Sequence, residues 1–273
     1  MTLKIKVFLV KYQIILFFVF SYLISWAIWI PQSLSYLGIC EVYIPSESPI
    51  NLLTVWGPGL AAILLVILMA GKIGLRKLFS PIKRWRVAIH WYIFVLFLPA
   101  VVQLVSHGLY ILIGRSSKLI PALSELGPDY ATMLPLLVIF VIPNALGEEI
   151  GWRGFALPRL QKKYNALISS IIVGIFWSIW HIPTWTAQGF LGLTLVNLII
   201  NIILYSILFA WIFNNSNKSL LLVWIFHITI AVTGYFLGSP TLTDSILLLL
   251  VVIIIVALSG PKNLSKKHKI KVV

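Results

Sequence analysis

The chain is poor in charge. Only 10% of its 273 residues are Asp, Glu, Lys or Arg, whereas 60% are hydrophobic. Soluble domains carry about 25% charged residues and roughly half apolar ones. A water-soluble fold could not hide this much apolar surface behind so few charges, so lipid must be the solvent for most of the chain. Cysteine is almost missing. Cys40 stands alone, which excludes an intramolecular disulfide and any Cys-rich metal cluster, and it reads as an ordinary loop or interface thiol. Acid is scarce as well: 7 Asp and Glu face 21 Lys and Arg, for a formal charge of +14. A basic excess of that size could signal nucleic acid, but the positions of the charges exclude that reading.

Apolar runs of about 17 to 24 residues recur along the chain, each long enough to cross a hydrocarbon core about 30 Å thick. They fall at 12–31, 50–71, 91–113, 132–152, 165–186, 190–213, 219–237 and 242–259. The runs lack the alternation of barrel strands, and in lipid a backbone outside a closed barrel satisfies itself only as helix. The fold class is therefore all-α: a polytopic membrane helical bundle of about eight transmembrane helices. Residues 1–273 read as a single integral membrane domain, with an uncleaved first span and no extramembrane domain or convincing internal repeat.

Lys and Arg set the orientation. Lys4, Lys6 and Lys11 precede or enter the first run, and Lys72, Arg76, Lys77, Lys83, Arg84 and Arg86 follow the second. Arg153, Arg159, Lys162 and Lys163 follow the fourth, Lys218 the sixth, and Lys262, Lys266, Lys267, Lys269 and Lys271 the last. That places 19 of the 21 basic residues on one side, with Arg115 and Lys118 opposite. The positive-inside rule makes the rich side cytoplasmic, with both termini inside. The basicity is topology first and attraction to anionic membrane lipids second; nucleic acid is not an expected partner. The stretch from Lys72 to His90 reads as an interfacial amphipathic helix interrupted at Pro81.

Glu41, Glu47, Glu125, Asp129 and Asp244 fall in or beside expected external loops. Glu148 and Glu149 lie about sixteen residues into the fourth run, within Pro143-Asn144-Ala145-Leu146-Gly147-Glu148-Glu149-Ile150-Gly151-Trp152-Arg153-Gly154. An intramembrane carboxylate is costly unless paired or hydrated, which makes it a functional candidate by default. Glu149 and Arg153 are spaced as a favourable i,i+4 ion pair. Glu148 points about 100° away and has no partner along its own face, which suits it to act as a general base on water. Asn144, one turn earlier, is placed to hydrogen-bond to it. Gly147, Gly151 and Gly154 thin the helix and allow close approach. The alternative is that the charges only staple helices together.

Two of the five histidines join this pair. His181 lies deep in the fifth run and His227 about eight residues into the seventh, whereas His90, His107 and His268 read as ordinary. From the helical rise, with the fourth helix ending near residue 157, Glu148 stands roughly 14 Å above the inner helix end, His227 roughly 12 Å and His181 roughly 24 Å. Two histidines with a Glu-Glu pair can orient water, polarise a carbonyl or hold a metal.

These residues resemble the CPBP (ABI, or type II CAAX prenyl endopeptidase-like) intramembrane protease family. Its Glu-Glu-x-x-x-Arg motif is here Glu148, Glu149 and Arg153. Its Phe-x-x-x-His motif is Trp177 to His181, with Trp in place of Phe, and its His-x-x-x-Asn/Asp motif begins at His227 but meets Ala231. The ordered set fits from about residue 130 to 235, the core of the chain. The resemblance implies hydrolysis of membrane-associated or lipidated (CAAX-type) peptides, with Glu148 activating water. His181 and His227 would position water or stabilise the oxyanion, with Glu149 and Arg153 in support. Such a reaction needs no cofactor, although His181, His227 and Glu148 could also bind zinc with an open position. Asn197 and Asn201, or Thr229 and Thr233, are candidates to replace the polar group missing at Ala231. The expected partners are membrane lipids and a peptide or lipidated protein substrate presented from the cytoplasmic side. A bacterial plasma membrane is the expected location. Two other readings stay open: an inactive relative acting in bacteriocin self-immunity or peptide binding, and a proton-coupled transporter, for which no matching halves are found.

Overall fold

A computed structural model of the chain describes residues 3–42, 44, 48–114, 137–238 and 242–265. All regular structure among these residues is helical. In chain order it comprises α1 (Leu3–Tyr36), α2 (Pro49–Val55), α3 (Gly57–Phe79), a 3-10 turn (Ser80–Lys83) and α4 (Ile89–Leu112). A broken segment follows, made of a π turn (Leu137–Val141), α5 (Ile142–Glu149), a π stretch (Ile150–Ala156) and α6 (Leu157–Leu160). The remainder is α7 (Ala166–Ala187), α8 (Gly192–Asn215), α9 (Leu220–Leu237) and α10 (Leu242–Ser259). Each of the eight apolar runs thus has a helical counterpart. Among the described residues six helices are long and apolar enough to cross a membrane by length and composition, and α9 supplies a shorter apolar one. The fourth run differs because it carries Glu148 and Glu149, leads directly into Arg153 and Arg159, and winds as π-helix on either side of α5. The protein is an integral membrane helical bundle.

Local chemistry sets the helix ends. Asn165 caps α7 by accepting from the Ile168 amide at 2.8 Å, and Ser219 caps α9 by accepting from Leu222 at 3.3 Å. The segment expected to hold an interfacial helix is helical from the kink at Gly71 (φ 57°) to Phe79, the end of α3. Pro81 then tightens the chain into the 3-10 turn. Asp244, expected beside an external loop, is buried in the first turn of α10.

Packing follows membrane rules, with small residues at backbone crossings and polar groups bonded across helices. A Cβ on Gly59 of α3 would stand 2.7 Å from the Gly147 carbonyl oxygen, and one on Gly151 would stand 2.6 Å from the Pro58 backbone. The broken segment therefore lies backbone-to-backbone on α3. Helix α1 is tied to α7 by three hydrogen bonds: Tyr22 Oη donates to the Phe176 carbonyl at 2.7 Å, Trp26 Nε1 to the Trp180 carbonyl at 3.0 Å, and Trp180 Nε1 to Ser25 Oγ at 2.8 Å. Ser25 Oγ in turn donates to the Thr54 carbonyl of α2. These bonds fix the face of α7 that carries His181.

If the α3 crossing depends on bare backbone, Gly151→Ala should lower stability by about 1–3 kcal/mol, the usual cost of overpacking a filled site. Gly108→Ala on α4 meets nothing within 4 Å and should be neutral or slightly stabilising. Thermal unfolding of the two variants in detergent compares them.

Candidate active site

The site is assembled from α5, the π stretch after it, α7 and α9. Arg153 Nη1 donates to Glu149 Oε1 at 2.8 Å, as the i,i+4 spacing predicts, and both side chains are fully buried. His227 approaches from α9 and places Nδ1 2.8 Å from the same Oε1. A carboxylate oxygen only accepts, so His227 carries its proton on Nδ1, and Nε2 is left facing Glu148 Oε1 at 4.0 Å. Glu149 thus joins a cation to a histidine. Its sequence spacing showed only the first partner.

Glu148 is not unpartnered, as its helix face suggested. Trp177 Nε1 donates to its Oε2 at 2.6 Å, across from α7. The phenylalanine of the family motif could not make this bond. The same indole ring lies against the Arg153 guanidinium, with Cζ 4.2 Å from the ring centroid, and the Phe209 ring of α8, set perpendicular to the indole, has its centroid 3.9 Å from the same atom. Such faces are favourable neighbours for a planar cation withdrawn from water. Sequence reasoning missed these ring contacts; the abundance of tryptophan, 11 residues, was the only signal.

His181 sits one turn beyond Trp177 and directs Nδ1 at the Trp177 carbonyl, 2.9 Å away. That contact also makes Nδ1 the protonated nitrogen and leaves Nε2 a free acceptor. The ring stacks on Trp185 at 4.9 Å and meets the edge of Trp180 at 4.7 Å, which fixes its plane. Glu148, His181, His227, Asn144 and Ala231 all line one cavity of about 260 Å³. The broken segment runs to Leu160 rather than 157, which raises Glu148 by roughly 4–5 Å to a level between those of His227 and His181.

Several expectations fail. Asn144 lines the cavity but does not bond to Glu148, and its Oδ1 has no partner among the described residues. Asn197 and Asn201 do not replace the group missing at Ala231. Ser245 of α10 donates to Asn197 and accepts from Asn201, so these residues join α8 to α10, away from the cavity. Thr229 Oγ1 donates to the Ile225 carbonyl within its own helix, and Thr233 does not line the cavity. A zinc set is also not formed. Glu148 and His227 stand as two ligands of one ion could, but no group of three or more His, Cys, Asp or Glu among the described residues is arranged to hold a metal. His107, taken as structural, is accounted for by a 2.9 Å contact between Nε2 and the Leu237 carbonyl.

The arrangement makes Arg153 the most exacting position of the site. Arg153→Met would leave the Glu149 carboxylate buried without its cation and should cost about 3–5 kcal/mol. Arg153→Lys should recover only part of this, since an ammonium cannot reproduce the contacts of a planar guanidinium with the Trp177 and Phe209 rings. Unfolding midpoints of both variants test the ranking.

Comparison with known proteins agrees with this geometry. The type II CAAX prenyl endopeptidase, Rce1-like family matches residues 130–233. A protein of Methanococcus maripaludis named CAAX prenyl protease 2 is 33% identical over 110 residues, which cover 37% of this chain. The matched stretch spans 39% of that relative's length. The family match takes in the broken segment, α7 and most of α9, so the part of the chain that builds the site is similar to the type II CAAX prenyl endopeptidase, Rce1-like family.

Proposed function

We propose that this protein is an intramembrane endopeptidase that hydrolyses peptide bonds of membrane-associated or lipidated, CAAX-type peptides with a water activated by Glu148. The observation that carries this reading is the shared cavity, in which a carboxylate and two histidines with assigned tautomers face one space. A water accepted by His181 Nε2 and donating to Glu148 is held for attack on a peptide carbonyl. Glu148 takes the proton as the carbon–oxygen bond forms and gives it to the leaving amine as the carbon–nitrogen bond breaks. The Trp177 indole holds Oε2 and leaves Oε1 turned towards His227 and the cavity. As an imidazolium held by Glu149, His227 would direct its Nε2–H at the developing oxyanion.

The polar residue expected four positions after His227 is Ala231, which lines the cavity wall. Of the two carboxamides that line the cavity, Asn144 and Gln188, Asn144 is one helical turn from Glu148, and we assign it the oxyanion contact that position 231 lacks. No step requires a metal ion. Ala231 also favours a second reading, in which the site binds a peptide without cleaving it, as an immunity or scaffold protein would.

Purified protein should cleave members of a membrane-peptide library, and Glu148→Gln should abolish cleavage while leaving the fold intact. Asn144→Ala should lower the rate by about 10²–10³, the range for losing one oxyanion donor. Cleavage should persist in a strong chelator; loss in chelator with recovery on adding zinc would refute the metal-free mechanism. Cleavage absent from the wild type but present in Ala231→Asn would establish the binding reading instead.

A further inference from the structure

The two arginines of the broken segment are partnered differently. Arg153 has Glu149, whereas Arg159, in the last turn of α6, meets no carboxylate among the described residues. Its side chain is partly buried. Nε donates to Gln13 Oε1 of α1 at 2.5 Å, Nη1 donates to the Phe155 carbonyl at 3.0 Å, and Cζ stands 3.6 Å from the Phe155 ring centroid. All of these partners are neutral, and Nη2 has none among the described residues. The acids nearest in sequence, Glu148 and Glu149, are committed to the catalytic site. A guanidinium held in this way keeps its full charge and offers a fork that matches a phosphate.

Arg159 lines a crevice of about 320 Å³ between α1, α3 and the broken segment. The other polar side chains in its wall are Gln13 and Lys77, and no acid lines it. Val66 and Met69, both buried, form its apolar end. The kink of α3 separates these two ends. Before Gly71 the helix carries no charge, and after it come Lys72, Arg76 and Lys77. The crevice therefore crosses the level at which α3 passes from apolar to basic. Val10 and Ala70 at its rim are exposed, so it opens towards the surrounding lipid. It shares no residue with the catalytic cavity.

We propose that this crevice binds one anionic glycerophospholipid from the leaflet at the basic face, with Arg159 and Lys77 on the phosphate and an acyl chain along Val66 and Met69. General attraction of anionic lipid to a basic surface needs no cavity and no particular residue. A crevice with two cations at one end and an apolar wall at the other selects a molecule built the same way. A free phosphate would leave the apolar end unused, and a zwitterionic lipid would bring its own cation to Lys77 and Arg159. Bound lipid would tie α1 and α3 to the segment that carries Glu148 and Glu149, at the end away from the cavity. The site involves neither peptide nor cleavage, so it stands apart from the peptidase reading.

Native mass spectrometry of the full chain in detergent tests the site. The protein is titrated with phosphatidylglycerol or with phosphatidylcholine of identical acyl chains. The first phosphatidylglycerol should bind about tenfold more tightly than phosphatidylcholine, the scale of a charge-assisted contact. Arg159→Gln and Lys77→Gln should each remove most of that preference. Ala70→Trp, which fills the crevice and keeps both cations, should remove it as well. Lys163→Gln alters an exposed cation of the same face that does not line the crevice, and it should change nothing. Equal losses in Lys163→Gln and Arg159→Gln would mean attraction to the whole face and would refute the crevice. Displacement of the lipid by excess inorganic phosphate would mark a bare anion site and refute the lipid. Should Arg159→Gln fail to fold, the variants at the exposed positions decide: an unchanged preference in either Lys77→Gln or Ala70→Trp overturns the proposal.

Discussion

The structure turns on one buried carboxylate. Glu149 receives Arg153 and His227 on the same oxygen atom, and Glu149 and Arg153 are both withdrawn from water that could take over the role of a missing partner. In a low-dielectric interior an unpaired ion costs several kcal/mol, so each member is held in place by the requirement that the others be satisfied. This couples three elements that are far apart in sequence. Arg153 on the π stretch is clamped by Trp177 of α7 and Phe209 of α8, and His227 brings in α9. The geometry of the candidate site follows from these contacts. With Glu149 and Arg153 fixed, Glu148 has one direction left to face, and the Trp177 indole meets it there.

The aromatic residues act here as polar parts as much as apolar ones. Trp26, Trp177, Trp180, Trp211 and Trp224 all donate their indole N–H to a partner on another helix, in two cases a backbone carbonyl. Between helices that share their apolar character with lipid, such directed bonds supply orientation that burial of apolar surface does not. Glycine makes the complementary contribution. Where α3 crosses the broken segment there is no room for a side chain, so the carboxylates on that segment are set at a fixed distance from the wall formed by Val55 and Trp29.

The positive charge of the protein is concentrated at one face. Lys and Arg gather at one set of helix ends, where Lys77 and Arg159 line a crevice separate from the catalytic cavity. The fully buried layer of Trp152, Arg153 and Phe155 lies between the site and the basic end. The ion pair that orients the histidine therefore also belongs to the floor of the cavity.

The sequence by itself determined the solvent, the helical class and the principal residues of the site. Composition excluded water as the surrounding medium, and run length converted apolar segments into spans. Ionisable groups inside those spans are so costly that Glu148, Glu149, Arg153, His181 and His227 could be singled out before any packing was known. The i,i+4 bond of Glu149 and Arg153 was legible because helical spacing is local. What spacing could not give was any contact between helices. That Glu149 serves His227, that Trp177 holds Glu148, that Asn144 stands at the cavity while Asn197 and Asn201 bind Ser245, and that Lys77 and Arg159 line one crevice all depend on how helices rotate and cross. Rotation is set by side-chain bonds and glycine crossings distant in sequence, and a lipid-facing apolar surface reads the same as a buried one. Only the tertiary structure decided them.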